Sequence, residues 1–196
     1  MPRVSREQTD ENRRLIEAAS ARLFKERGLN GVSVTDIMAS AGLTHGGFYG
    51  HFESKDELAA VACERAFGES VVRWRSLVKE DAGEQAFVDA LAKHYLSAKQ
   101  RDEPGGGCPA VGLAADVARE DATKPVRGAY LQGLKSMLGR LASFAGPRPS
   151  RKARQRAIAR LSMLVGAATL ARAVRGDPLS DEILTAVRDY LHDSFQ

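Results

Sequence analysis

The side chains best suited to chemistry crowd into one short stretch, Thr44-His45-Gly46-Gly47-Phe48-Tyr49-Gly50-His51-Phe52-Glu53-Ser54-Lys55. These hydroxyl, imidazole, phenol and ammonium groups suit a nucleic-acid surface. Thr44 can donate to a phosphate or a base edge, His45 and Tyr49 can reach base edges or backbone, and His51 and Lys55 stand where phosphates would pass. Gly46, Gly47 and Gly50 each cost a helix interior about 1 kcal/mol relative to alanine, so three of them here need a reason. Close approach of backbone to a duplex supplies one, with Phe48 and Phe52 turned inward to dock the segment.

Enzyme chemistry is hard to find. The sequence has no HExxH, no ExxH pair, no P-loop, no GxGxxG between strand and helix, and no CxxC. Its four histidines show no metal-ligand spacing, so neither metal nor cofactor is expected. A helical-bundle small-molecule binder or enzyme without DNA binding is the alternative reading. The two cysteines, Cys63 and Cys108, are too few for a disulfide framework and are expected as thiols. Cys63 sits among apolar neighbours and reads as structural.

The elements that must position these groups are helical. Chain length of 196 residues with 43% hydrophobic and 28% charged content suits one domain, or a small module joined to a larger one. No strand-like alternation exceeds Val32-Ser33-Val34. A helix from Ser5 to Arg27 ends at Gly28. Ser33 and Asp36 form a capping box for a short helix, Gly42 stops it, and Thr44 caps another running to about His51. Two short helices across a glycine turn make a helix-turn-helix. Further helices are predicted from Ser54 to about Lys79, from Gly83 through Ala98, from Pro109 through Arg119, from Pro125 to about Phe144, from Arg151 to Arg175, and from Ser180 to Ser194. That makes nine, and the stretch DEPGGGCP is expected to lie outside any helix.

No apolar run approaches the roughly 20 residues of a membrane helix, and the N-terminal MPRVSREQTDENRR is too polar for a signal peptide, so a cytoplasmic protein is expected. The net charge of +4 hides a strong asymmetry: residues 124–176 carry twelve basic groups and no acidic one. Any DNA contact must therefore be argued from local residues and not from overall charge.

From Asn12 through Leu58, and above all in GLNGVSVTDIMASAGLTHGGFYGHFESKDEL, the chain resembles the DNA-binding domain of the tetracycline-repressor (TetR/AcrR) family of bacterial transcription regulators. The resemblance implies an all-α protein with a three-helix helix-turn-helix domain over residues 1–53 and a six-helix ligand-binding and dimerisation domain over 54–196. It implies a homodimer on a palindromic operator, most often a repressor, released by a small-molecule effector or by oxidation or electrophile modification. By position, Tyr49, His51 and Lys55 match the family's phosphate contacts, Thr35 matches a backbone contact, and Thr44 to Gly47 occupy the base-facing turn. Gly46 and Gly47 stand where many members carry larger side chains, which leaves His45, Tyr49 and DNA shape to supply specificity. Ligand binding is expected to tilt the helix that begins at Ser54, and so to change the separation of the two recognition segments.

Beyond residue 60 the readings are less specific. Trp74, Phe87, Tyr95, Tyr130 and Met137 either line a ligand pocket or are plain core, since aromatics at helical spacing fill bundles more often than they touch ligands. Cys108, placed before Pro109, is expected to be an N-cap whose helix dipole favours a thiolate, which would make it a sensor; a small packing residue is the other reading. Ile158, Leu161, Val165 and Ala168 form one stripe and Leu184, Val187 and Leu191 another, expected to meet a second copy of the chain. The basic run 148–160 is expected to pair with Asp181, Glu182, Asp189 and Asp193 of the last helix, with a second nucleic-acid patch as the alternative.

Overall fold

The computed structural model describes residues 5–79, 82–146 and 148–194, and among these every regular element is helical. α1 (Arg6–Arg27) is capped by the Ser5 side chain, which accepts from the Gln8 N–H. It ends at Gly28, whose φ of 77° lies in the left-handed region that glycine adopts without strain. α2 (Val34–Ser40) carries the predicted capping box: the Ser33 hydroxyl accepts from Asp36 N–H, and the Asp36 carboxylate accepts from Ser33 N–H. Gly42, at φ 71°, makes the turn that follows.

The long central helix α3 (Lys55–Arg75) starts at Ser54, whose hydroxyl accepts from Glu57 N–H. It is followed by α4 (Glu84–Tyr95), α5 (Ala98–Asp102), α6 (Pro109–Gly112), α7 (Ala114–Arg119), α8 (Pro125–Ala142), α9 (Arg151–Ala173) and α10 (Pro178–Asp193). Short 3-10 turns occupy His45–Gly50, Pro104–Gly106 and Ser143–Ala145. The described residues thus form ten α-helices where nine helices are predicted.

The differences have local causes. The helix opening at Gly83 stops at Leu96, and Ser97 caps a separate short helix by accepting from Gln100 N–H. The predicted helix over 109–119 breaks at Leu113, beside Gly112, which packs against the backbone of Lys25. The Ser54 helix ends at Arg75, four residues early. Pro104–Gly106 forms a 3-10 turn where no helix is expected.

Burial in α8 does not follow residue hydrophobicity alone. Val126, Ala129, Gly133, Met137 and Leu141 face inward, while Leu131 is 49% exposed. The inward face includes a glycine because α8 meets α3 there: a Cβ on Gly133 would stand 2.2–2.7 Å from the Phe67 ring. Phe67 is itself wedged against Tyr130, ring centroids 5.3 Å apart, and Tyr130 donates to the Ala110 carbonyl at 3.1 Å. The core runs without interruption from this contact to the first three helices, through Leu58, Ala62 and Phe24.

Gly133→Ala should therefore destabilise the fold by about 1–3 kcal/mol through overpacking. Gly139→Ala, also in α8 but with nothing within 4 Å of the added carbon, should be neutral or stabilising by up to about 1 kcal/mol. Chemical denaturation of the two variants checks this: equal effects would contradict the close helix contact.

Candidate nucleic-acid interface

Helix propensity alone would leave the segment His45–Gly50 unformed, and it folds only as a 3-10 turn. The predicted cap is absent too, since the Thr44 side chain makes no capping hydrogen bond. Three glycines explain the weakness. Tertiary anchoring offsets it. Phe48 and Phe52 are almost wholly buried, with rings 5.9 Å apart, and full burial of one such side chain is worth about 1.5–3 kcal/mol. Two of them match the roughly 3 kcal/mol that three glycines cost.

Arg13 of α1 locks the far end of this segment. Its guanidinium lies 4.2 Å from the Phe52 ring centroid and donates to the His51 carbonyl, while Glu17 holds it from the other side at 3.1 Å. Only the cation's partners in space reveal this role, because Arg13 lies 38 positions from His51 and no spacing rule connects the two.

With its anchors inside, the segment turns its polar side outward. Tyr49 is 69% exposed, packed edge-on against Phe48 at 5.2 Å. Thr35, Thr44, His45, Gly46 and Gly47 are exposed on the same module, and His51 and Lys55 are half-buried beside it. Nothing lies within 4 Å of a carbon added at Gly46 or Gly50, so no packing inside the chain demands these glycines. Gly47 faces only the Met38 methyl, at 3.6 Å. Backbone is left bare on the outer surface.

The module is tied to the rest of the chain by polar contacts. The Asp116 carboxylate of α7 accepts from Leu29 N–H at 3.0 Å, Asn30 donates to Glu120 at 3.3 Å, and Lys124 pairs with Asp56. These sit beside Lys55, in a cleft of about 100 Å³.

The other predicted residues fall out differently. Trp74, Phe87, Tyr95 and Met137 are packed as core, with Trp74 6.4 Å from Phe87 and 6.3 Å from Tyr95, and the larger clefts are lined by other side chains. Tyr130 is half-buried.

Cys108 does occupy the N-cap position of α6, but that helix is a single turn and the sulfur is buried. Desolvation pushes its thiol pKa up, outweighing nearby hydrogen-bonding groups and the positive Lys25, so the expected thiolate is not favoured. Its sulfur faces the Met137 sulfur at 3.9 Å. Burial likewise drives the Cys63 thiol up to about 12.

Of the stripes expected to meet a second copy, Leu161, Ala168, Leu184 and Leu191 are buried where α9 and α10 pack on their own chain. Ile158 is 43% exposed, and Val165 and Val187 are half-buried. Leu170, Leu179 and Tyr190, which the stripes omit, are 58%, 47% and 63% exposed. In the basic run Arg160 pairs with Glu84, and in the last helix Asp181 pairs with Arg101 at 2.6 Å. Among the described residues no group of three potential ligands could hold a metal ion, and no helix is long and apolar enough to cross a membrane.

Comparison with known proteins agrees with this geometry. Residues 16–62 match the model of a family described as bacterial regulatory proteins, tetR family. The chain is 34% identical over 82 residues to the HTH-type transcriptional repressor KstR2 of Mycobacterium tuberculosis, covering 42% of this chain and 40% of that one. It is 25% identical over 134 residues to the HTH-type transcriptional repressor NemR of Escherichia coli, covering 67% and 65%. The alignments span between 26% and 65% of the curated relatives.

Two solved structures share the fold: the reduced form of E. coli NemR, with a TM-score of 0.76 at 21% identity over 93% of this chain and 95% of that one, and a TetR-family regulator of Cytophaga hutchinsonii, with 0.78 at 23% over 95% and 96%. The anchored helix-turn-helix coincides with the segment that matches the tetR family model, residues 16–62, and the helical architecture of the whole chain is the one these solved structures share.

Proposed function

We propose that this chain is a ligand-responsive transcriptional repressor that binds a palindromic operator as a homodimer and resides in the cytoplasm. The observation that carries this reading is the outward presentation of Tyr49 and a bare glycine backbone by a segment whose phenylalanines are buried. Lys55 and His51 flank it as phosphate contacts, Thr35 approaches the backbone from α2, and Thr44 to Gly47 face the bases. Residues 1–53 form the reading head, and 54–196 the effector and dimerisation domain.

A second copy would cover the apolar side chains left exposed on α9 and α10, namely Ile158, Leu170, Leu179 and Tyr190. Symmetry then sets the two reading segments about one helical turn of DNA apart, about 34–36 Å. α3 runs from the head into the core, so a change in its tilt alters that separation. Release by a small molecule entering the C-terminal domain fits this geometry.

Release through Cys108 is the second route. It is supported by the description of the similar NemR structure as a reduced form. Because the sulfur is buried, this route requires the Pro104–Cys108 segment to open before a reagent arrives.

Three measurements test these proposals. Tyr49→Ala and Lys55→Ala should each weaken duplex binding about tenfold while leaving the melting temperature unchanged, and Lys55→Ala should lower the salt slope by about 1. Unchanged retention of DNA taken from upstream of the gene would refute the reading head. Leu170→Asp or Tyr190→Asp should convert the protein from dimer to monomer by sedimentation; a dimer that survives both places the interface elsewhere. Iodoacetamide should label Cys108 slowly in the native protein and quickly after unfolding, with a rate that climbs only above the ordinary thiol range. A native titration at or below about 8.5 would contradict the burial argument.

A further inference from the structure

Two positive charges, Lys25 buried and Arg172 half-buried, sit where α1 meets α9 and the 104–108 segment without an ion-pair partner. Lys25, in the last turn of α1, is 7% exposed, and its ammonium donates only to the Gly107 carbonyl, at 3.3 Å. Arg172, on α9, donates through Nη2 to the Gln100 carbonyl at 2.7 Å, while its Nε is buried and has no acceptor at all. Among the described residues neither cation has a carboxylate within ion-pair distance. Burial lowers the pKa of both groups, outweighing the more distant Glu69 and Glu26 that act on Lys25.

The two cations converge on one residue. Gly107 places its carbonyl on the Lys25 ammonium, and a Cβ at the same position would stand 2.6 Å from Arg172 Nη2. Both side chains line a cleft of about 390 Å³, floored by Val111 and Gly112 and rimmed by Arg175. Glu26 is the one carboxylate on its wall, and Arg22 holds it at 3.0 Å. Arg101, also at the rim, is spent on Asp102 and Asp181. Uncompensated buried charge is costly, and a small anion would relieve it while accepting the unspent Nε–H.

We propose that this cleft binds a small oxyanion, the carboxylate or phosphate group of a metabolite-sized ligand, between Lys25 and Arg172. The site does not depend on whether the chain reads DNA, although an occupied site would join α1 of the head to α9 of the body.

The test is thermal melting of the full chain with millimolar inorganic phosphate or acetate, at ionic strength held constant with sodium chloride. At least one anion should raise the melting temperature by several degrees. A phosphate response alone assigns a phosphate ligand, and an acetate response of equal size assigns a carboxylate.

Lys25→Met and Arg172→Gln should each abolish the shift, and Lys25→Met should melt no lower than the parent in chloride because it removes a buried unpaired charge. Lys55→Ala, on the outer face, should keep the shift. Absence of a shift with both anions, or its persistence in Lys25→Met, would overturn the site.

Discussion

Burial of Phe48 and Phe52 beneath a glycine-rich turn is the constraint on which everything else rests. The turn cannot hold itself, since its own hydrogen bonds are few and its glycines favour the unfolded chain. It exists because two aromatic rings leave water, and because Arg13 closes over the second ring and grips the carbonyl of His51. An element fastened from below in this way can leave its upper surface almost without side chains. On the proposed reading a duplex approaches this backbone closely, and shape contributes to recognition alongside His45 and Tyr49.

The head does not stand apart from the body. The hydrophobic core passes without a break from α1 through α3 to α8, and the polar ties from Asp116, Glu120 and Lys124 all arrive beside Leu29, Asn30 and Asp56. A displacement of α7 or of the start of α8 is thus felt at the foot of α3, one residue from Lys55. The geometry gives a physical route between the two parts without a separate hinge. Lys25, in α1's last turn, adds a further tie to the body by donating to the Gly107 carbonyl.

Much of the head was legible from residue type and spacing. The Ser33–Asp36 box, the Gly42 turn and the inward phenylalanines follow rules of three or four residues, and each is present. What escaped was whatever depends on contacts distant in sequence. The grip of Arg13 on His51 is one case. The burial that defeats a thiolate at Cys108 is another, since N-cap position favours ionisation while desolvation opposes it more strongly. In α9 and α10 the apolar stripes were visible, yet Leu161 and Leu184 satisfy each other's chain from within, and sequence periodicity does not distinguish packing at home from packing on a partner. In α8 the close contact with α3 goes through Gly133, which no hydrophobic pattern highlights.

The most direct test of the central claim is selection of bound duplexes from a random DNA library by the purified protein and by Phe48→Ala. The account predicts enrichment of an inverted repeat with half-site centres about one helical turn apart, and loss of that enrichment when the anchoring ring is removed. Enrichment of no sequence by the parent protein, or the same repeat recovered in full by Phe48→Ala, would contradict it.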